Sequence, residues 1–481
     1  MQRRDFLKAS TLTALSSALS NVDAAQTAVK ADHTIRIENG LVELAPDRIV
    51  STTTYNGQFP GPLLRFTEGK PVTVDIHNDT DTPEQLHWHG QNIPTDVDGA
   101  AEEGTPFIPA HGMRRIAFTP QPSGLRFYHT HVTAGADLNR GLYTGQAGPV
   151  FIDPKREPGR YDREVFLVLK EFAPTFSRGG DMAMDFLARG APIEALKKSG
   201  EDAMNASLAK DMPHGFEVGY SLFSINGRML GHGEPVRVKR GERVLFHVLN
   251  ASAGEIRSLA LPGHSFDVVA LDGNPLHASV NVPVLWLGTA ERVSAIVEMN
   301  HPGKWILGDL SDDDRGNGMG IVVEYAGVKG KPQWTTPAPF KWDYTAFGNS
   351  ASAATPDETI DMVFAKDNAA DHGFNRWAIN DVAFSMQKIQ PMFHLHRGKR
   401  YRLRMRNASD DIHPVHLHRH TFELTKVAGK ATSGVMKDVV MVNGYQAIEA
   451  DFVADNPGLT LFHCHQQLHM DFGFMALFDY V

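Results

Sequence analysis

Cysteine is almost absent. The 481-residue chain carries one, Cys464, which excludes an internal disulfide framework. A basic excess is also lacking: 47 lysines and arginines face 56 aspartates and glutamates, a formal charge of -9. No cationic footprint is therefore offered to a phosphate backbone, and nucleic acid is not an expected partner. No uninterrupted apolar run reaches the length of a membrane-crossing helix, so no membrane span is expected. Charged residues make up 21% and apolar residues 42%, a balance that excludes a disordered chain. The length points to roughly two to four domains rather than one core. Against these absences stand 23 histidines, an unusual load for an acidic chain.

The first residues, Arg3, Arg4, Asp5, Phe6, Leu7 and Lys8, precede a Ser/Ala/Leu/Thr stretch over 9–20 and small residues ending at Ala24. A charged segment, a short mildly apolar one and a small-residue cleavage site, in that order, describe an export signal. The paired arginines followed by Phe, Leu and Lys resemble a bacterial twin-arginine signal, which is an address read by a receptor. The expectation is a signal peptide over 1–25, the twin-arginine export machinery as a partner, and a periplasmic mature chain. In such an oxidising compartment a lone cysteine is either incidental or chemically employed.

Three segments repeat one pattern. Residues 69–78, 241–250 and 398–407 each run from glycine to asparagine with apolar and polar residues alternating. An asparagine-led turn precedes each: Asn56-Gly57, Asn226-Gly227 and Asn380-Asp381. Period-two strands bounded by Gly, Asn and Pro turns indicate β-sandwiches, and a threefold occurrence indicates three of one ancestry. Segments 165–169 and 436–442 read as further strands. Residues of about 182–210, rich in Ala, Leu, Met and Lys, read as a helical insertion. Residues 331–356, without a clear period, read as a linker. The expected organisation is 26–155, 156–330, the linker, and 357–481.

Six His-x-His pairs occur, at 87/89, 129/131, 394/396, 416/418, 418/420 and 463/465. Random placement would give about one. On a strand, side chains at i and i+2 share a face, so two imidazoles converge while the middle residue faces away. Imidazole is a good ligand for copper, zinc, iron and nickel. In the last pair the middle residue is Cys464, whose sulfur then faces opposite to His463 and His465. A soft thiolate with His413 and His469 is the ligand set of a blue-copper electron-transfer site. The flanking pair would face a second site on the order of 10 Å away, and the chain itself would join the two.

These four motifs, in this order, resemble the multicopper oxidase family, laccases included, over nearly the whole mature chain. The resemblance implies an all-β fold of three consecutive cupredoxin-like Greek-key sandwiches and four copper ions. It assigns His413, Cys464 and His469 to a blue site, and His87 and His416 to the single ion of a trinuclear cluster. His89, His129, His131, His418, His463 and His465 would hold the paired ions. The middle repeat contributes no pair, so the cluster is expected between the first and third domains, with the second as a spacer that can also shape a substrate surface. His394 and His396 read as a surface pair outside the pattern, and His420 as a buried non-ligand. Met182, Met184, Met204 and Met212 read as packing. The axial position of the blue site falls on Phe474, with Met475 one step later. Asp98 matches an acid that supplies protons near the cluster in relatives. Met470 stands where many bacterial relatives carry a glutamate, with Asp471 next to it.

The activity implied is an oxidase. A reducing substrate gives single electrons at the blue site, and they pass by way of Cys464, His463 and His465 to a cluster that reduces dioxygen to water. Phenols and aromatic amines are the expected reductants, with cuprous ion in a copper-tolerance role as the alternative. A two-domain copper nitrite reductase does not fit the His-Cys-His arrangement. A metal-free envelope scaffold of the same fold would lack the ten ligand histidines that are present here.

Overall fold

The computed structural model describes residues 30–155, 160–177, 215–349 and 353–481. The expected signal peptide, the helical insertion and the four methionines Met182, Met184, Met204 and Met212 lie outside them. The remainder is built of strands in six sheets.

Each copy of the repeat becomes the same object. Gly69, Gly241 and Gly398 all take left-handed backbone (φ +78, +81 and +84), a conformation glycine enters without steric cost. The strands Val72–Asn78, Arg243–Asn250 and Arg400–Asn407 follow. Every copy ends on an asparagine with no exposed surface, whose amide ties the next loop to the strand. Asn78 Nδ2 donates to the carbonyls of Thr82, Ile108 and Pro109. Asn250 does so to Glu255 and Leu287, and Asn407 to Asp411, Val442 and Asn443. The preceding turns have positive φ at both central residues, from Asn56-Gly57 to Asn380-Asp381, which gives the type I′ twist that lets two strands fold back tightly.

Around these strands three two-sheet sandwiches form in succession. The first has two four-stranded sheets, and the second and third each have a six-stranded and a five-stranded sheet. The fold is all-β, as expected. The segment 331–356 is more than a tether: Trp342, Tyr344 and Phe347 are buried in the core shared by the second and third sandwiches.

One expected strand is two. Residues 436–442 divide into the end of Lys430–Lys437, in the six-stranded sheet, and Val439–Val442, in the five-stranded one. The chain changes sheets at Asp438, a buried carboxylate whose partners lie in the other two sandwiches. Its amide donates to Asp272 Oδ2 and its carbonyl accepts from the Leu417 amide.

Candidate metal centre

The histidine motifs sit where the first and third sandwiches meet. His87 and His89 occupy the three-residue strand His87–His89, paired directly to Gly124–His129, so that His87 lies across from His129. In the third sandwich His413–Leu417 pairs with Thr460–Cys464, which sets His416 across from His463. Gly99 makes the approach of the loop after His89 possible: with φ +95, a Cβ there would lie 1.9 Å from the Leu86 carbonyl oxygen.

All ten motif histidines and Cys464 are buried, none with more than 2% of its surface exposed. Their donor atoms form four groups among themselves: His87 with His416 and His89; His89, His129 and His465; His131, His418 and His463; and His413, Cys464 and His469; a fifth joins His87 and His418 to Asp98. Two details differ from the simple strand picture. The members of the pairs 129/131, 416/418 and 463/465 contribute to different groups, while His87 and His89 share the first, so i and i+2 mostly straddle adjacent sites rather than closing on one. The chain also leaves its strand at His129 and at Cys464, which frees His131 and His465 to turn. The opposed direction of the Cys464 sulfur holds. Its Sγ lies 3.6 Å from Nδ1 of both His413 and His469, which are 3.1 Å apart.

Outward partners fix the rings. Nδ1 of His129, His416 and His463 meets a backbone carbonyl, of Thr130, Asp438 and Cys464 respectively. His87 Nδ1 lies 3.0 Å from the Asp98 carbonyl, and His418 Nδ1 3.0 Å from Asp98 Oδ2. A ring whose Nδ1–H is spent in this way presents the Nε2 lone pair inward. His87 Nε2, His416 Nε2 and His465 Nδ1 are buried without a protein partner, an arrangement costly unless something else is bound. Burial pushes the pKa of His89, His129, His413, His416, His418, His463 and His465 far below the ordinary imidazole value. His469 falls to about 4 for the same reason. Neutral imidazoles with converging lone pairs fit metal ions. Burial also raises the Cys464 thiol, so thiolate forms there with a cation beside it. His131 departs from the set. Burial opposes its charge, but the Glu102 carboxylate 3.3 Å away and the Asp98 carboxylate together raise its pKa.

The remaining expected residues are placed as follows. Asp98 reaches both His418 and His87 (3.1 Å). Phe474 is buried with its ring 4.6 Å from that of His413. Met475 packs elsewhere, with Leu461, Met470 and Leu477. Asp471 accepts from the amides of Ala134 and Gly135, and burial lifts it to about 7. His420 is buried between the His418 carbonyl and the Tyr480 hydroxyl. His394 and His396 are exposed, His394 paired with Asp479.

Several residues had no motif to announce them. Glu103 lies 3.5 Å from His418, its pKa raised by burial and by Asp98. Asp438 lies 3.1 Å from His89 Nε2. Arg126 and Arg292 both bind Asp438. An aspartate amid the apolar residues of 439–442 was the one signal available. Sequence reading also gave no outline of the cavity of about 700 Å³ between the second and third sandwiches, which His469 borders. Tyr143, Tyr220, Phe223 and Trp286 line it, and so do Glu217, Glu255, Asp309 and Asp411. Trp377 stacks on His469 from behind, with ring centroids 4.0 Å apart.

Known proteins resemble this chain. Three sequence models of multicopper oxidase domains match residues 37–157, 197–326 and 354–481. Multicopper oxidase MmcO of Mycobacterium tuberculosis is 30% identical over 446 residues, 90% of this chain and 84% of that protein. A copper resistance protein A homolog of Pseudomonas syringae is 28% identical over 60% of this chain and 50% of that one. The crystal structure of a multi-copper oxidase from Pseudomonas thermotolerans shares the fold, with a TM-score of 0.68 at 22% identity over 94% of this chain and 100% of that one. With its three sandwiches and its buried histidines and cysteine, the chain belongs to the multicopper oxidase family, and it is a copper-dependent oxidoreductase.

Proposed function

We propose that the chain is a laccase-like oxidase that takes single electrons from a phenol or aromatic amine beside His469 and reduces dioxygen to water at the histidine cluster. The observation that carries this reading is Cys464: its sulfur belongs to one donor group while its two chain neighbours, His463 and His465, belong to two others. In this reading His413, Cys464 and His469 hold one ion. His87 and His416 hold a second. His89, His129 and His465 hold a third, and His131, His418 and His463 a fourth. Copper, when bound, supplies a one-electron acceptor at the thiolate and a multi-electron donor to dioxygen at the cluster.

The chain supplies the rest. The aromatic walls of the cavity hold a ring against the edge of His469. Glu255 has its pKa raised to about 7 by burial, and can take the proton that a phenol releases on oxidation. Asp98 and Glu103, buried against His418, hold protons where the reduction of oxygen consumes them. Complete burial of the cluster imidazoles excludes bulk water, so partly reduced oxygen does not escape.

The carboxylates of the cavity favour a second reductant, cuprous ion in a copper-tolerance role, and the likeness to a copper resistance protein supports it. The leader over 1–25 supports export by the twin-arginine route to the periplasm. A copper count with a visible spectrum tests the core of the reading. About four ions per chain and an intense thiolate-to-copper band are expected, and near-zero copper would leave a scaffold. Turnover of a dimethoxyphenol and of cuprous ion, each with and without added copper, separates the two reductants.

A further inference from the structure

Among the described residues the middle sandwich gives no imidazole to the cluster, yet it reaches one. The strand Arg292–Glu298 begins at Arg292, which is fully buried. Its guanidinium grips Asp438 of the third sandwich with two parallel bonds, Nη1 to Oδ1 at 2.7 Å and Nη2 to Oδ2 at 2.6 Å. The carbonyls of Ala290, Asp272 and Leu125 take its remaining hydrogens. Arg126 of the first sandwich adds a bond to Asp438 Oδ2 at 3.0 Å. Asp438 Oδ1 then lies 3.1 Å from Nε2 of His89.

A carboxylate gripped by two guanidinium groups offers only lone pairs. The proton of the neutral His89 ring must therefore sit on Nε2, which leaves the Nδ1 lone pair facing inward, 3.3 Å from His129 Nε2. His87, His129, His416, His418 and His463 are turned the other way, with Nδ1 on an outward partner. Asp438 fixes two rings in opposite senses, because its carbonyl oxygen accepts from His416 Nδ1 at 2.7 Å. The residue after His89 leaves room for the clamp. Gly90 has φ +77, and a Cβ there would lie 2.7 Å from both Arg292 Nη2 and Asp438 Oδ2.

We propose that Arg292 of the middle sandwich is a positioning residue for the cluster, selecting Nδ1 of His89 as the metal-binding nitrogen by way of Asp438. This rests on the reading that the cluster holds copper. In Asp438→Asn the arginines draw the amide oxygen to themselves and turn its NH2 toward His89, which then accepts at Nε2 and carries its proton on Nδ1, where the ion should bind.

The test is a copper titration of metal-free wild type, Asp438→Asn, Arg292→Met and Arg292→Lys. Loading is followed by total copper and by the thiolate band, and thermal unfolding of each metal-free protein is recorded. Asp438→Asn and Arg292→Met are expected to need about 10- to 100-fold more free copper to fill the cluster, with the thiolate band filling as in wild type. Arg292→Lys, which keeps the charge and one contact, is expected to fall between. Unchanged cluster loading in Asp438→Asn, or an equal shift at both sites, overturns the proposal. If Arg292→Met does not fold, the near-isosteric Asp438→Asn decides alone. A wild type whose cluster takes no copper overturns the reading of the cluster itself, and so is told apart from failure of the clamp.

Discussion

Phe474 is the residue on which the potential of the proposed thiolate site is expected to turn. Its ring is fully buried, 4.6 Å from His413 and 4.8 Å from Phe364. Its amide donates to the His469 carbonyl and its carbonyl accepts from the Cys464 amide. It thus touches each of the three donor residues, and it has no atom that can coordinate. Phe474→Met would place a thioether there, which stabilises the oxidised ion. A tenfold change in the preference for one oxidation state moves a one-electron potential by about 59 mV, so one to two such steps give a fall of roughly 60–120 mV. Losing two ring contacts, at about 0.5–1.5 kcal/mol each, costs roughly 1–3 kcal/mol of stability before methionine refills part of the space. Redox titration of the visible band measures the first effect and denaturant unfolding of metal-free protein the second. An unchanged potential in a fully loaded, blue variant would refute the axial assignment. Met475→Leu is the companion, and it should leave the potential where it was, because Met475 packs with Leu461 and Met470 instead.

Cys464→Ser removes the soft donor with little change in volume; the visible band is expected to vanish and copper to fall by about one ion per chain, and a surviving band would refute the ligand assignment. Gly99→Ala should destabilise by more than about 3 kcal/mol, since no side chain fits at φ +95 against the Leu86 carbonyl; an unfolding midpoint within error of wild type would contradict this. Asp471 titrates near 7 in the fold because of burial, well above an unfolded aspartate. Its contribution to stability is therefore complete below pH of about 4 and lost as pH rises through about 7, at up to about 1.4 kcal/mol per pH unit. Urea midpoints of metal-free protein from pH 4.5 to 8 should fall less steeply in Asp471→Asn, and parallel profiles would exclude this carboxyl as the source.

What was legible in the sequence was what a short window encodes. The glycine that opens each repeat strand, the asparagine that closes it and the asparagine-led turn before it lie within 56–78, 226–250 and 380–407, and each reappears in the fold. The His-x-His spacing is local too, and so is the opposed direction of Cys464. What was not legible depends on residues that meet only after three sandwiches have docked. His89 lies 349 positions from Asp438, and Arg292 lies 146 from it; neither spacing has a sequence signature. The division of the paired-ion histidines into two sets was hidden for a related reason. It follows from where His131 and His465 turn on leaving their strands, and a period-two rule places no turn. The strand expected over 436–442 failed at Asp438, where the chain passes from one sheet to the other and the carboxylate is held by Arg126 and Arg292.

The middle sandwich shows why a domain without ligand histidines is more than a spacer. One part of it, around Tyr220, Glu255, Trp286 and Asp309, lines the cavity beside His469. Another, at Arg292 and Asp272, runs into the buried contact with Arg126 and Asp438 behind His89. Both strands flanking that contact, Phe266–Leu271 and Arg292–Glu298, lie side by side in its six-stranded sheet. Through Tyr220, on the strand Glu217–Ile225, the same six-stranded sheet that borders the cavity also meets the far side of the cluster. A change that tilts the middle sandwich would alter both ends at once, the approach to His469 and the direction of His89, although none of its described side chains belongs to the donor groups.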